Sequence, residues 1–155
     1  MSKQQPPPNP ADDRNHEQTA NFQKAREARH AEIAEDYVEL IADLVSKTGE
    51  ARAVDIARRL GVAQATVVKT VSRLQREGLV VTRPYRAIFL TDHGRDLAER
   101  SRRRHEIVEA FLLSLGLSEE AARRDAEGIE HHVSEETLAA FEAAIRKAGP
   151  RRSRR

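Results

Sequence analysis

The stretch ARAVDIARRLGVAQATVVKTVSRLQREGLV, Ala51–Val80, decides the fold. Val54, Ile56, Ala57 and Leu60 recur at helical spacing and stop at Gly61. Val67, Val71 and Leu74 recur in the same way and stop at Gly78. Between them lies the turn Gly61-Val62-Ala63. Two short amphipathic helices joined by three residues that include a glycine predict a helix-turn-helix. One weakness is local: Ala63 stands where a Ser or Thr would cap the second helix. The following segment, VVTRPYRAIFLT (Val80–Thr91), has two β-rich arms around a Pro84-Tyr85-Arg86 tip, which predicts a small hairpin or wing.

Outward from this centre the periodicity stays helical. Ile33, Tyr37, Leu40, Ile41 and Leu44 predict a helix over about Gln23–Lys47, closed by Gly49. Residues 1–25, with QPPPNP and few apolar side chains, read as a disordered extension. Asp92-His93-Gly94 reads as a break. A long helix is expected over about Arg95–Leu115, then one capped by Ser118 reaching about His132, and a last one capped by Ser134 running to about Lys147. The expected fold class is mainly α: a winged helix-turn-helix DNA-binding domain over 26–94 and an all-helical domain over 95–149, followed by a basic tail at 150–155.

Charge divides the same way. Residues 50–94 carry eight Lys/Arg against four Asp/Glu, whereas 125–142 carry six acids and no Lys or Arg. A basic middle points to a polyanion, and an acidic later segment to a cation. Cysteine is absent, which excludes disulfides and thiolate metal sites. No apolar run approaches the ~20 residues of a membrane span. The polar, proline-rich start does not read as a secretory signal, so the expected location is the cytoplasm.

In a helix-turn-helix the second helix enters the major groove and its N-terminal residues reach base edges. Those residues here are Gln64, Ala65, Thr66 and Lys69, with Arg73 one turn on. Gln pairs with adenine, and Ala or Thr methyls meet thymine methyls. Lys69, Arg73 and Arg86 at the wing tip are the expected phosphate contacts.

The acidic stretch DAEGIEHHVSEET (Asp125–Thr137) admits two accounts, a solvated helix face or half of a cation site. Glu127, Glu130 and His131 share a helix face. Asp36 and Glu39 share one on the first helix, and His105 flanks the apolar face of the long helix. Carboxylates and imidazoles are ligands of hard and borderline divalent metals, and helix bundles bring such groups inward. Gly128, inside this stretch, costs a helix ~1 kcal/mol relative to Ala, which a packing or backbone-access reason would explain. HEIVE (His105–Glu109) falls short of the metalloprotease pattern H-E-x-x-H, because Glu109 replaces the second histidine. No catalytic role is expected.

EDYVELI (Glu35–Ile41), ARAVDIARRLGV, RHEIVEAFL (Arg104–Leu112) and DAEGIEHHVSEET together resemble the manganese transport regulators, the small branch of the diphtheria toxin repressor family. The resemblance covers about Ala34–Lys147. It implies a homodimeric winged-helix transcription factor that binds palindromic operator DNA when loaded with Mn²⁺, repressing manganese uptake genes, with no small organic substrate and no membrane partner. It also implies two ions per subunit, held by Asp36, Glu39, His105, Glu127, Glu130 and His131. His132 is not among these ligands and is expected to pack or support the site. In the iron-responsive branch, Met and Cys stand at the positions of Asp36 and Glu127. Ala87 departs from a glycine frequent in the family. A regulator answering to Fe or Zn, or working without metal, is the alternative. On this view the acidic stretch lacks Lys and Arg because an ammonium or guanidinium would compete with the ion.

Overall fold

A computed structural model describes residues 10–83 and 87–148, the side chains of 10–17 and 148 excepted. The described chain divides into two units at Ala34/Glu35. The first unit is helical, the leading part of α1 (Pro10–Thr48). Residues 18–31 of it are exposed. The sequence placed the start of this helix near Gln23 and read residues up to 25 as disordered. The helix begins thirteen residues earlier than that, at Pro10. Proline at a first helical position loses nothing, since its missing N–H would be unpaired there. Such a start leaves no apolar periodicity to read.

The second unit begins on α1 at Glu35. Val38 and Ile41 are fully buried there, with Tyr37, Leu40 and Leu44 nearly so. Gly49, at φ 83°, turns the chain into β1 (Ala51–Arg52). Then come α2 (Ala53–Leu60) and α3 (Gln64–Arg76), the expected helix-turn-helix. Gly61 closes α2 at φ 65°, the left-handed conformation that glycine adopts without a Cβ penalty. Ala63 provides no side-chain cap to α3. The N–H of Thr66 bonds the Ala63 carbonyl at 2.9 Å instead. Ile56, Val67, Val71 and Leu74 form the inner face of this motif.

The wing is β2 (Val80–Arg83) and β3 (Ala87–Leu90), antiparallel with Val80 opposite Leu90 and Arg83 opposite Ala87. β1 adds a third strand, unforeseen in the sequence, pairing Ala51 with Ile88, so the sheet order is β1-β3-β2. Two residues are too short to show alternation, so sequence patterning does not reveal them. Ala87 is a buried, regularly paired strand residue.

Gly94 was read as a break, yet α4 (Asp92–Ser114) runs through it, and the domain boundary expected there falls inside a helix. Thr91 is the cap: its hydroxyl oxygen accepts from Gly94 N–H at 3.0 Å and donates to the Gly78 carbonyl at 2.6 Å. Gly94 is required by proximity, because a Cβ would overlap the Leu79 carbonyl oxygen. α5 (Glu119–Ile129) tightens into a 3-10 turn (Glu130–His132), and α6 (Glu135–Ala148) follows. Ser118 and Ser134 are the expected caps, accepting from Ala121 N–H and Thr137 N–H at 3.2 Å each. Val108, Ala126 and Leu138 make the core between α4, α5 and α6, joined by Ile107, Leu112, Val133 and the Phe111–Phe141 ring stack at 4.0 Å. No helix among the described residues is long and apolar enough to cross a membrane.

Candidate metal centre and nucleic-acid face

Three segments far apart in sequence converge on one cleft of about 770 Å³, lined among others by Asp36, Glu39, Glu127 and Glu130. α1 brings Asp36 and Glu39, one helical turn apart. α4 brings His105. The end of α5 brings Glu127, and the 3-10 turn brings Glu130 and His131. Glu130 stands at the centre, with 3% of its surface exposed. Its Oε2 lies 2.5 Å from His105 Nδ1, and its Oε1 lies 3.5 Å from His131 Nε2. His131 Nε2 is also 3.5 Å from Asp36 Oδ1, and His105 Nδ1 is 3.8 Å from Glu127 Oε1.

Two neighbouring groups result. His105, Glu127 and Glu130 each offer one ligand atom within 4.8 Å of the others. Asp36 and Glu130 both face His131. Glu130 belongs to both groups, one oxygen toward each histidine. Glu39 lines the same cleft. The structure thus gathers all six expected residues in one region.

The electrostatics are those of a site holding more carboxylate than the interior favours. Burial pushes the Glu130 carboxyl up to about 7, against the downward pull of His105 and His131. Burial disfavours the His131 cation, but the hydrogen bond it donates to Glu35 and the charges of Asp36, Glu130 and Glu35 outweigh this and raise its pKa. A divalent cation bound here would offset the carboxylate charge that burial disfavours. Oxygen and imidazole donors without sulfur suit Mn²⁺, Fe²⁺ or Zn²⁺, so the residues fit a divalent ion.

Several participants escaped the sequence. Glu35 Oε2 accepts from His131 Nδ1 at 2.6 Å. Arg104 Nη1 lies 3.6 Å from Glu35 Oε1. Glu109 Oε2 is 3.4 Å from His105 Nε2, so the residue that breaks the protease pattern is a neighbour of this histidine. Their signal was adjacency: Glu35 precedes Asp36 and Arg104 precedes His105. The expected exclusion of cationic side chains holds for the 125–142 segment but not for the fold, which brings Arg59, Arg95 and Arg102 to the cleft. Arg59 pairs with Asp43 at 3.3 Å and Arg95 with Asp92. His132 was expected to pack or support the site and is exposed instead, at the end of the 3-10 turn. Gly128 has open space around it, and nothing in the structure explains it.

On α3, Gln64, Ala65, Thr66 and Lys69 are exposed, as a groove-reading helix needs. Arg73 is half-buried, 3.7 Å from Glu77. Arg86 lies outside the described residues. Val68 is 51% exposed on the same helix and was not anticipated. Arg83, on β2, stacks over the Phe89 ring at 4.8 Å.

Residues 31–88 match the model of the iron dependent repressor N-terminal DNA binding domain, and 91–148 match that of the iron dependent repressor metal binding and dimerisation domain. The transcriptional regulator MntR of Escherichia coli O6:H1 is 56% identical over 133 residues, 86% of each chain. The HTH-type transcriptional regulator MntR of Geobacillus kaustophilus is 45% identical over 100 residues, 64% of this chain and 71% of that protein. Among solved structures, a manganese-dependent transcriptional repressor in complex with manganese is 32% identical, with a TM-score of 0.65 over 72% of this chain and 52% of that one. The manganese regulator SloR is 27% identical, with a TM-score of 0.65 over 73% and 53%. The chain spans about half the length of these two structures. These relatives are regulators and not enzymes. With both repressor domains matched and this identity over most of its length, the chain belongs to the MntR family of transcriptional regulators.

Proposed function

We propose that this chain is a Mn²⁺-responsive transcriptional repressor that binds palindromic operator DNA as a homodimer and works in the cytoplasm on manganese uptake genes. The observation that carries this is Glu130, buried between His105 and His131 with one oxygen toward each. A single carboxylate so shared suits two ions per subunit, with Asp36, Glu39, His105, Glu127, Glu130 and His131 as ligands. Names of relatives that include manganese support the choice of ion. So does the donor set, which is rich in oxygen and free of sulfur.

The site sits where it can govern the DNA-binding face. Asp36 and Glu39 lie on α1, and one turn further along Asp43 pairs with Arg59 of α2 at 3.3 Å. Charge on one end of this helix is thus connected to the first helix of the helix-turn-helix. Holding α1 against α4 and the 3-10 turn fixes where each α3 stands in a dimer, and half-sites on DNA repeat at whole helical turns. Gln64, Ala65 and Thr66 are the proposed base-edge contacts, and Lys69, Arg73 and Arg86 the proposed phosphate contacts. The coupling is reciprocal, so operator DNA also tightens metal binding.

Calorimetry for stoichiometry and gel shifts across metals test this reading. Two Mn²⁺ per subunit are expected, with Mn²⁺ activating operator binding better than Zn²⁺. One ion per subunit, or stronger activation by Zn²⁺, contradicts it. Converting Asp36→Met and Glu127→Cys together is expected to raise the relative response to Fe²⁺ or Co²⁺, because softer donors favour later metals.

A further inference from the structure

Beyond the six proposed ligands, Glu35 is a sheltered carboxylate at the site. Glu35 precedes Asp36 on α1 and its side chain is 14% exposed. Its Oε2 accepts from His131 Nδ1 at 2.6 Å, and its Oε1 lies 3.6 Å from Arg104 Nη1. Arg104 is anchored on its other side, where Nη2 donates to the Val133 carbonyl at 2.9 Å. Val133 is the residue at which the chain leaves the 3-10 turn. Arg104 Nε is buried and finds no partner among the described residues, so this guanidinium is held in place despite an unmet donor. Three elements that carry ligands, α1, α4 and the 3-10 turn, are joined by these contacts without any ion.

The chemistry fixes a direction. An ionised carboxylate only accepts hydrogen bonds, so the His131 nitrogen facing Glu35 must carry the proton. In the neutral ring the lone pair is then on Nε2, which faces Asp36 and Glu130 at 3.5 Å each. The opposite tautomer would set a lone pair against Glu35 and turn a proton toward the cation site. We infer that Glu35, steadied by Arg104, is a positioning residue that holds His131 with its Nε2 lone pair toward the ion and docks the ligand-bearing turn of α1 before the ion arrives. This rests on the proposed ligand role of His131. Partners of this kind on metal-bound histidines are typically worth roughly 10–100-fold in metal affinity.

The test uses the full chain with Glu35→Gln and Glu35→Leu. Nitrogen NMR of the metal-free protein at alkaline pH reads the His131 tautomer, and calorimetry reads Mn²⁺ affinity. The wild type is expected to show the Nδ1–H tautomer. Glu35→Gln keeps an oxygen acceptor and is expected to retain that tautomer with a smaller loss of affinity. Glu35→Leu has no acceptor and is expected to lose the tautomer preference and roughly 10–100-fold in Mn²⁺ affinity. An unchanged tautomer together with unchanged Mn²⁺ affinity in Glu35→Leu overturns the inference, and should that variant fail to fold, Glu35→Gln binding as weakly as a His131→Ala variant overturns it equally. A wild type with the Nδ1–H tautomer that binds no Mn²⁺ overturns the ligand assignment instead, leaving the hydrogen bond itself standing.

Discussion

The helix-turn-helix and the metal centre are built by opposite means. Residues 51–90 fold into α2, α3 and the wing from one contiguous stretch, around apolar side chains that are fully or nearly fully buried. The proposed metal centre would draw on residues 36, 39, 105, 127, 130 and 131, and the contacts among its residues are ion pairs and hydrogen bonds. The first region owes its shape to apolar burial, which no ligand needs to complete. The second buries carboxylate at Glu130, and that burial, more than repulsion from Glu127, opposes assembly until a cation offsets it. A sensor placed in the second can therefore change state while the first stays folded.

The largest effect is expected at the carboxylate common to both histidines. Glu130→Ala should lose more Mn²⁺ affinity than the ~10–100-fold typical of a supporting partner, with the metal-dependent part of operator binding lost alongside. Calorimetry and fluorescence anisotropy check it, and circular dichroism should show the helices intact. Unaltered Mn²⁺ affinity would break the contrast between the regions.

Leu74→Ala probes the other side of the comparison. Leu74 is fully buried in the helix-turn-helix core. Its truncation should cost about 2–5 kcal/mol of unfolding free energy, read by urea denaturation. Mn²⁺ in excess should recover part of this by binding the folded state alone. Gly94→Ala tests the joint between the regions. A new Cβ there meets the Leu79 carbonyl oxygen, so α4 must shift from the wing. Overpacking of this kind should cost about 1–3 kcal/mol. A variant as stable as the wild type would show that the joint is soft.

The smallest effects belong to the DNA face. Gln64→Ala should cost ~1–3 kcal/mol at a single base pair and relax preference there. Lys69→Ala should weaken all sequences alike and lower the slope of log affinity against log salt by about one. Salt titrations on matched and mismatched operators separate the two. Reversed behaviour would exchange the two assignments.

The contrast also accounts for what the sequence could reveal. α2 and α3 were legible because periodic valines and leucines ended by Gly61 and Gly78 are local signals. Glu127, Glu130 and His131 were legible as a helix-face cluster, since their spacing is also local. The early start of α1 was hidden because residues 10–22, largely polar, leave no apolar period. Gly94 misled because sequence cannot separate a glycine that breaks a helix from one that admits a neighbouring carbonyl. Glu35 and Arg104 were invisible as partners: they are 69 residues apart, and only the packing of α1 on α4 brings them together. Nor could charge counting within one segment foresee guanidiniums brought to the cleft from α2 and α4.

The central claim is that occupation of the centre around Glu130 governs the helix-turn-helix. Operator affinity of the wild-type protein, measured at fixed salt with Mn²⁺ and then with EDTA, tests it most directly. Tight, sequence-selective binding with Mn²⁺ that weakens to the level of random DNA with EDTA is the predicted result. Equal operator affinity in the two conditions would contradict it.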